Sequence, residues 1–390
     1  MAPRWLVGVA RPRRGAPQAV QDPLFEIEVR PERRYFRQIL QALTGVLSGD
    51  DPLRAELAVS RVLGVIWTSD PSRDGAAEEA FGAGLVDFAR QQHTPIATNL
   101  LRVLAVVGTL RETRELAADA LDGTVAPARD WTPPVGAVTA GRCWLAEDMF
   151  GDLVTVVCEF GYGADPRHSP RHGLAVQIDQ ANYGTAIDIS LLDDVDTFVR
   201  ELRYGNAVPA NEEFHRIDQA TAGSMLERAF ARTDLLPATV VSADFAALRA
   251  LALARVRVLP LASIPVIEAS VQRRAAVVAE FRRSAEAQHL RQPDRVAQLL
   301  VEFAARLDPA DLLRVSPGRL EAFLEDPATA TSGIAMAEIA EVVRAWSSWA
   351  SRQAGMPMLT REALAHAVDA LLDEYLHLED VGRPQADRNG

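Results

Sequence analysis

One stretch constrains the fold more than any other. Between Thr139 and Ser190 the chain leaves helical periodicity and alternates. From Leu153 to Phe160, Val154, Val156, Cys158 and Phe160 fall on one side while Thr155 and Glu159 fall on the other, the period of a strand with one face buried. Arg171 to Asp179 repeats the pattern with His172, Leu174, Val176 and Ile178. Thr185 to Ser190 pairs Ile187 with Ile189, and Arg142 to Glu147 pairs Cys143 with Leu145. Phe150-Gly151, Gly161 to Pro170 and Ala181 to Gly184 separate these runs with residues that turns require. The pattern predicts an antiparallel meander of about four strands. If its first turn is centred on Phe150-Gly151, Cys143 and Cys158 are equidistant from the turn and become cross-strand neighbours.

Around this stretch the period is helical. Tyr35, Ile39, Leu40 and Leu43 begin a series continued by Leu53, Leu57, Val62 and Ile66, by Ala80, Leu85 and Phe88, and by Leu100, Leu104 and Val107. A fifth helix, Arg111 to Leu121, ends before Gly123, a candidate left-handed cap. Beyond the meander, helices are expected from Asp194 to Leu202, from a cap at Asn211 through Phe214, Ile217 and Phe230, and from a cap at Ser242. Further helices follow at Val266 to Leu290, Pro293 to Leu307, Ser316 to Leu324, Ile334 to Ala354 and Thr360 to about Leu378. The expected fold is therefore predominantly helical α+β: a helical bundle, a small antiparallel β meander and a C-terminal helical region. In residue numbers this reads as a tail at 1–24, helices at 25–124 and a proline-rich linker at 125–138. The meander with its following helix takes 139–207, helices resume at 208–380, and a tail occupies 381–390. Trp5 to Ala10 is too short and too near Arg11 for a signal-peptide core, although it has the pattern of a short strand.

Charge narrows the function. The formal net charge is −12, and all 41 basic residues are arginine. General affinity for nucleic acid or an anionic membrane needs a basic surface that this balance does not supply. Without lysine there is no Schiff-base chemistry and no Walker-type phosphate lysine. No apolar run reaches the roughly 18 residues that a membrane span needs. Two cysteines in 390 residues fit a reducing cytoplasm.

Asp311-Leu312-Leu313-Arg314-Val315-Ser316-Pro317, Leu320-Glu321-Ala322-Phe323-Leu324 and Val343-Arg344-Ala345-Trp346, with His172 to Val176 in the meander, form a set of segments. On these the chain resembles a group of actinobacterial proteins to which no function is attached. Val315 stands where the group's pattern has tryptophan. The resemblance implies no activity.

Two constellations carry chemistry. Cys143, Cys158, His168 and His172 form a zinc-capable set, but structural zinc sites draw on tight Cys-x₂₋₄-Cys knuckles that are absent here. Buried small hydrophobes in a sheet are the reading that spacing favours for the cysteines. Glu362, His366, Asp369, Asp373 and His377 share one face of the last helix, opposite Leu364, Val368, Leu371 and Tyr375. Such a stripe ligates metal only with partners from a second helix. The arginines from Arg273 to Arg295 do not form one stripe, which points to ion pairs within the chain. The expectation is a non-catalytic cytoplasmic protein without metal or cofactor, acting through contact with another protein. The alternative is a metal-dependent hydrolase using the His168/His172 loop or the Glu362-to-His377 face.

Overall fold

The structure is a computed structural model and describes residues 33–70, 72–122, 135–163, 171–204, 213–236, 239–263 and 268–382. Trp5 to Ala10, the cap at Gly123, the linker prolines Pro127, Pro133 and Pro134, His168, Asn211 and the last eight residues lie outside them. The described chain is predominantly helical with one small antiparallel sheet. Among the described residues, no helix is long and apolar enough to cross a membrane.

Contacts divide the chain into two compact units that do not follow chain order. The first takes residues 1–146, 155–178 and 185–262, and the second takes 147–154, 179–184 and 263–390. Helices from 219 to 256 therefore fall in the first unit, with the N-terminal helices.

In the first unit, α1 (Arg33–Leu47), α2 (Pro52–Ser69), α3 (Ala76–Gln92), α4 (Pro95–Val107) and α5 (Arg111–Leu121) follow the apolar periodicity. Asp51 and Thr94 accept from the backbone N–H of Arg54 and Ala97, and Pro52 and Pro95 take the first helical position, where no N–H is needed. Leu47, Val59, Leu85, Leu100 and Val107 fill the core between these helices.

The sheet is built from β1 (Val138–Glu147), β2 (Leu153–Tyr162), β3 (Arg171–Asp179), β4 (Thr185–Leu192) and β5 (Glu213–Ile217), in the order β4-β3-β2-β1-β5. The meander is as its alternation predicted, but β5 corrects the sequence reading: residues 213–217 are a strand, not the start of a helix. Phe214 and Ile217 fit a helical period as well as a strand, and five residues are too few to separate the two. Asp218 then caps α7 (Gln219–Leu235) through the Thr221 N–H.

The strands are also covered on both faces. Trp144, Val157 and Ala175 pack under Val195, Phe198 and Leu202 of α6 (Val195–Tyr204). On the other face β4 meets α7 and α8 (Ala243–Val256): Thr233 donates to the Ala186 carbonyl at 2.9 Å, and Ser242 N–H donates to the Ile187 carbonyl at 2.9 Å. Glu159, on the side assigned to solvent, is 7% exposed, held by Arg142 at 2.9 Å and Arg171 at 3.0 Å. Those guanidiniums, Arg142 first, hold its carboxyl below the usual range. A bulge sits here. Asp148 N–H bonds the Leu153 carbonyl at the turn, and Gly163 N–H bonds the Ala137 carbonyl at the far end, which leaves one more residue on the β1 side. A Cβ on Gly141 would lie 3.3 Å from Glu159 Cβ, while Arg142 bonds the same carboxylate, so the extra residue falls at Gly141-Arg142.

In the second unit, α9 (Val271–Arg282), α10 (Pro293–Leu307), α11 (Pro317–Leu324), the single turn α12 (Pro327–Ala330), α13 (Met336–Gln353) and α14 (Met358–Gly382) surround Phe281, Val296, Phe323, Val343, Trp346 and Leu372. α9 is shorter than the expected Val266-to-Leu290 helix. Ser270 caps it, and from Arg283 the chain turns through i→i−3 bonds such as Ser284 N–H to Phe281 O. Two of its arginines bond within the unit: Arg282 to Asp294 at 3.1 Å, and Arg273 to the Ala310 carbonyl at 2.7 Å.

Candidate functional site

His172 is not in a loop. It lies on β3, 1% exposed, within a buried polar cluster of Glu56 (α2), Tyr162 (β2) and Arg255 (α8). Packing of α2 on α8 assembles it: a Cβ on Gly64 would stand 2.0 Å from the Ala246 carbonyl oxygen, so only glycine permits the approach. Ser60 locks the pair by donating to the Ala247 carbonyl at 2.8 Å and accepting from Leu251 N–H at 3.0 Å. Glu56 then receives the Tyr162 hydroxyl at 2.6 Å and pairs with Arg255 Nη2, which also donates to the Tyr162 oxygen at 2.8 Å.

Arg255 Nε donates to His172 Nε2 at 2.8 Å. A guanidinium cannot accept, so Nε2 is unprotonated and the imidazole is neutral with its proton on Nδ1. Burial, seconded by the Arg255 charge, pulls the His172 pKa down to about 3. Burial likewise raises the Tyr162 phenol. Phe160 stacks on the imidazole at 5.9 Å between centroids. With none of these four side chains more than 3% exposed, the cluster is a sealed polar pin between helix and sheet.

Cys143 and Cys158 lie against each other across β1 and β2, both buried as free thiols. Donation to Cys143, added to burial, raises Cys158, and the accepted hydrogen bond lowers Cys143. His172 is committed to Arg255. Among the described residues, no group of three or more His, Cys, Asp or Glu converges as metal ligands would.

The stripe on α14 faces water. Glu362, His366, Asp369, Asp373 and His377 are all exposed. Arg344 of α13 bonds Asp369 at 2.7 Å and Asp373 at 3.2 Å. On the opposite face Leu364 and Val368 are buried, but Leu372 is the fully buried residue in the next turn and Leu371 is half-buried, a correction to the predicted core stripe.

A cleft of about 260 Å³ opens between α13 and α14. The helices are joined by a tight cap: Gly355 takes φ +69°, Met356 N–H reaches the Ser351 carbonyl and Gly355 N–H the Arg352 carbonyl. The chain thus returns antiparallel, and the small side chains Ser347, Ser348 and Ser351 leave space against Leu364, Ala365 and Val368. Three guanidiniums line the cleft. Arg344 is neutralised by Asp369 and Asp373, and Arg352 by Glu286. Arg361 has no ion pair among the described residues, and its Nε is buried without a hydrogen-bond partner among them. Ser347 and Ser351 spend their protons on the Val343 and Ser348 carbonyls, leaving their oxygens as acceptors. One turn before Arg361, Met358 and Leu359 are 65% and 77% exposed. Sequence reading passed over Arg361 because a lone arginine at the start of an amphipathic helix carries no pattern.

No family model, curated protein or solved structure matches the chain.

Proposed function

We propose that the protein is non-catalytic and works in the cytoplasm by contact with another protein, and that the α13–α14 hairpin carries this contact. The observation that supports the reading is Arg361, the cleft guanidinium that the chain's own carboxylates leave without an ion pair among the described residues. Its match is a carboxylate, which a guanidinium binds through two parallel hydrogen bonds. Around it the cleft is apolar at Leu364, Ala365 and Val368, and its rim carries Met358 and Leu359. An acidic side chain flanked by apolar residues on a partner segment has the complementary chemistry, and backbone N–H groups of that segment meet acceptor oxygens on Ser347 and Ser351. The adjacent free thiols of Cys143 and Cys158 are in keeping with a reducing compartment.

Selection of a random peptide library on the full chain tests this reading. Enriched sequences are expected to pair an acidic residue with apolar neighbours and to bind Arg361→Gln at least about ten-fold more weakly, the loss of one charge-assisted contact. Arg273→Gln, away from the cleft, is the control. Enriched peptides without acidic residues, or equal binding by Arg361→Gln, overturn the assignment.

A further inference from the structure

A second arginine in the same unit is enclosed more completely. Arg319, on the first turn of α11, is 4% exposed. Its Nε and Nη1 are buried without a hydrogen-bond partner, and no carboxylate lies within ion-pair distance of it, among the described residues. Burial, followed by the neighbouring Arg314 charge, lowers its pKa to about 10, which leaves the guanidinium charged at neutral pH. Arg319 lines a cavity of about 20 Å³, walled by Leu300, Phe303, Phe323 and Trp346 and lined also by Arg314. Two cations therefore border one small apolar chamber that no carboxylate of the described residues lines.

A buried guanidinium that no carboxylate bonds is costly, because its desolvation is only partly compensated. Three carboxylates lie close enough to act on Arg319, and each is bonded elsewhere: Asp308 accepts from Ala310 N–H at 3.0 Å, Asp311 from Leu313 N–H at 3.2 Å, and Asp152 from Ser316 Oγ and from Gly318 N–H at 2.8 Å. Arg314 spends one donor on the Gly151 carbonyl. We propose that this chamber is a binding site for one monatomic anion of halide size, held by Arg319 with Arg314. Size sets the class. The space beside Arg319 accepts one guest about as large as water. Charge excludes a cation. In a cell the guest of that description is chloride, and its effect is to stabilise the second unit by mass action.

Thermal melts of the full chain in sodium chloride and in sodium gluconate, at equal ionic strength so that screening is constant, read the site directly. Chloride is expected to raise the melting temperature by about 2–4 °C over gluconate, and Arg319→Met to abolish the difference. Crystals grown in sodium bromide give an independent measurement, with an anomalous peak expected at the Arg319 guanidinium. Equal melts in the two salts, a chloride effect that survives in Arg319→Met, or water alone beside Arg319 in the bromide crystals would each overturn the site. Should Arg319→Met fail to fold, the bromide peak decides. The test does not touch the α13–α14 cleft, so either assignment stands or falls without the other.

Discussion

Arg255 and Arg319 are both buried arginines, 1% and 4% exposed, yet they are handled differently. Arg255 spends its donors on a carboxylate, a phenol oxygen and an imidazole nitrogen, three groups from three other elements. Arg319 faces phenylalanine, leucine and tryptophan, with Arg314 beside it, and Asp308, Asp311 and Asp152 act on it without bonding it among the described residues. A buried cation costs several kcal/mol in lost hydration in either place, so the surroundings decide what it does for the protein. Where the chain supplies the counter-charge, the arginine ties α2, α8 and the sheet into one arrangement. Where no carboxylate of the described residues bonds it, as at Arg319, the guanidinium is left with donors to offer a guest, which is the basis of the proposed anion site.

The largest way to sharpen this contrast is to strip Arg255 of its carboxylate. Glu56→Gln leaves the guanidinium buried and uncompensated, and is expected to cost about 3–5 kcal/mol in chemical denaturation. A cost below about 1 kcal/mol would mean that Tyr162 and His172 suffice and that the two arginines differ less than their partners suggest.

Next comes a calibration in the second unit. Leu372→Ala, fully buried on α14, is expected to lose about 2–5 kcal/mol, against less than about 0.5 kcal/mol for Asp373→Ala on the solvated face. Comparable losses would show that the acidic stripe carries structural weight after all.

A smaller effect follows from the neutrality of His172. Its pKa is about 3 when folded, well below the unfolded value, so its contribution is fully present above pH 6.5 and is lost as pH falls toward 3. Between pH 6.5 and 4.5 the unfolded chain takes up a proton that the native imidazole refuses, and about 2 kcal/mol of stability should disappear. Denaturation at both pH values, on the wild type and on His172→Gln, measures it. The variant should lack this component, and an equal pH slope in both would place the titration elsewhere.

The smallest expected effect belongs to Arg319. In gluconate, Arg319→Met removes an unpaired charge and fills the space with apolar atoms, so stability should change by less than about 1 kcal/mol or rise. A loss of 3 kcal/mol or more would show that Arg319 has a compensating partner in the native chain, and the contrast with Arg255 would collapse.

Helices and meander strands were legible because their signal is local. The apolar period of 35–121 gave five helices, and the alternation of 142–190 gave β1 to β4. The pairing of Cys143 with Cys158 was readable because a hairpin turn fixes register within a few residues. β5 was not, since its place beside β1 depends on a partner about seventy residues earlier in the chain. The site residues were less legible still: of the residues singled out, only His172 entered a buried polar cluster, and Arg361 and Arg319 had no signature at all.

The sequence by itself determined where helices and strands lie, because hydrophobic period, caps and turn residues act over a few positions of the chain. Tertiary structure alone decided the fate of the charges. Whether an arginine meets Glu56, as Arg255 does from 199 residues away, or meets an apolar wall, as Arg319 does, depends on which distant faces pack together. That choice is made by shape, as at Gly64 against Ala246, where the absence of one Cβ lets two helices close and brings the ion pair into being.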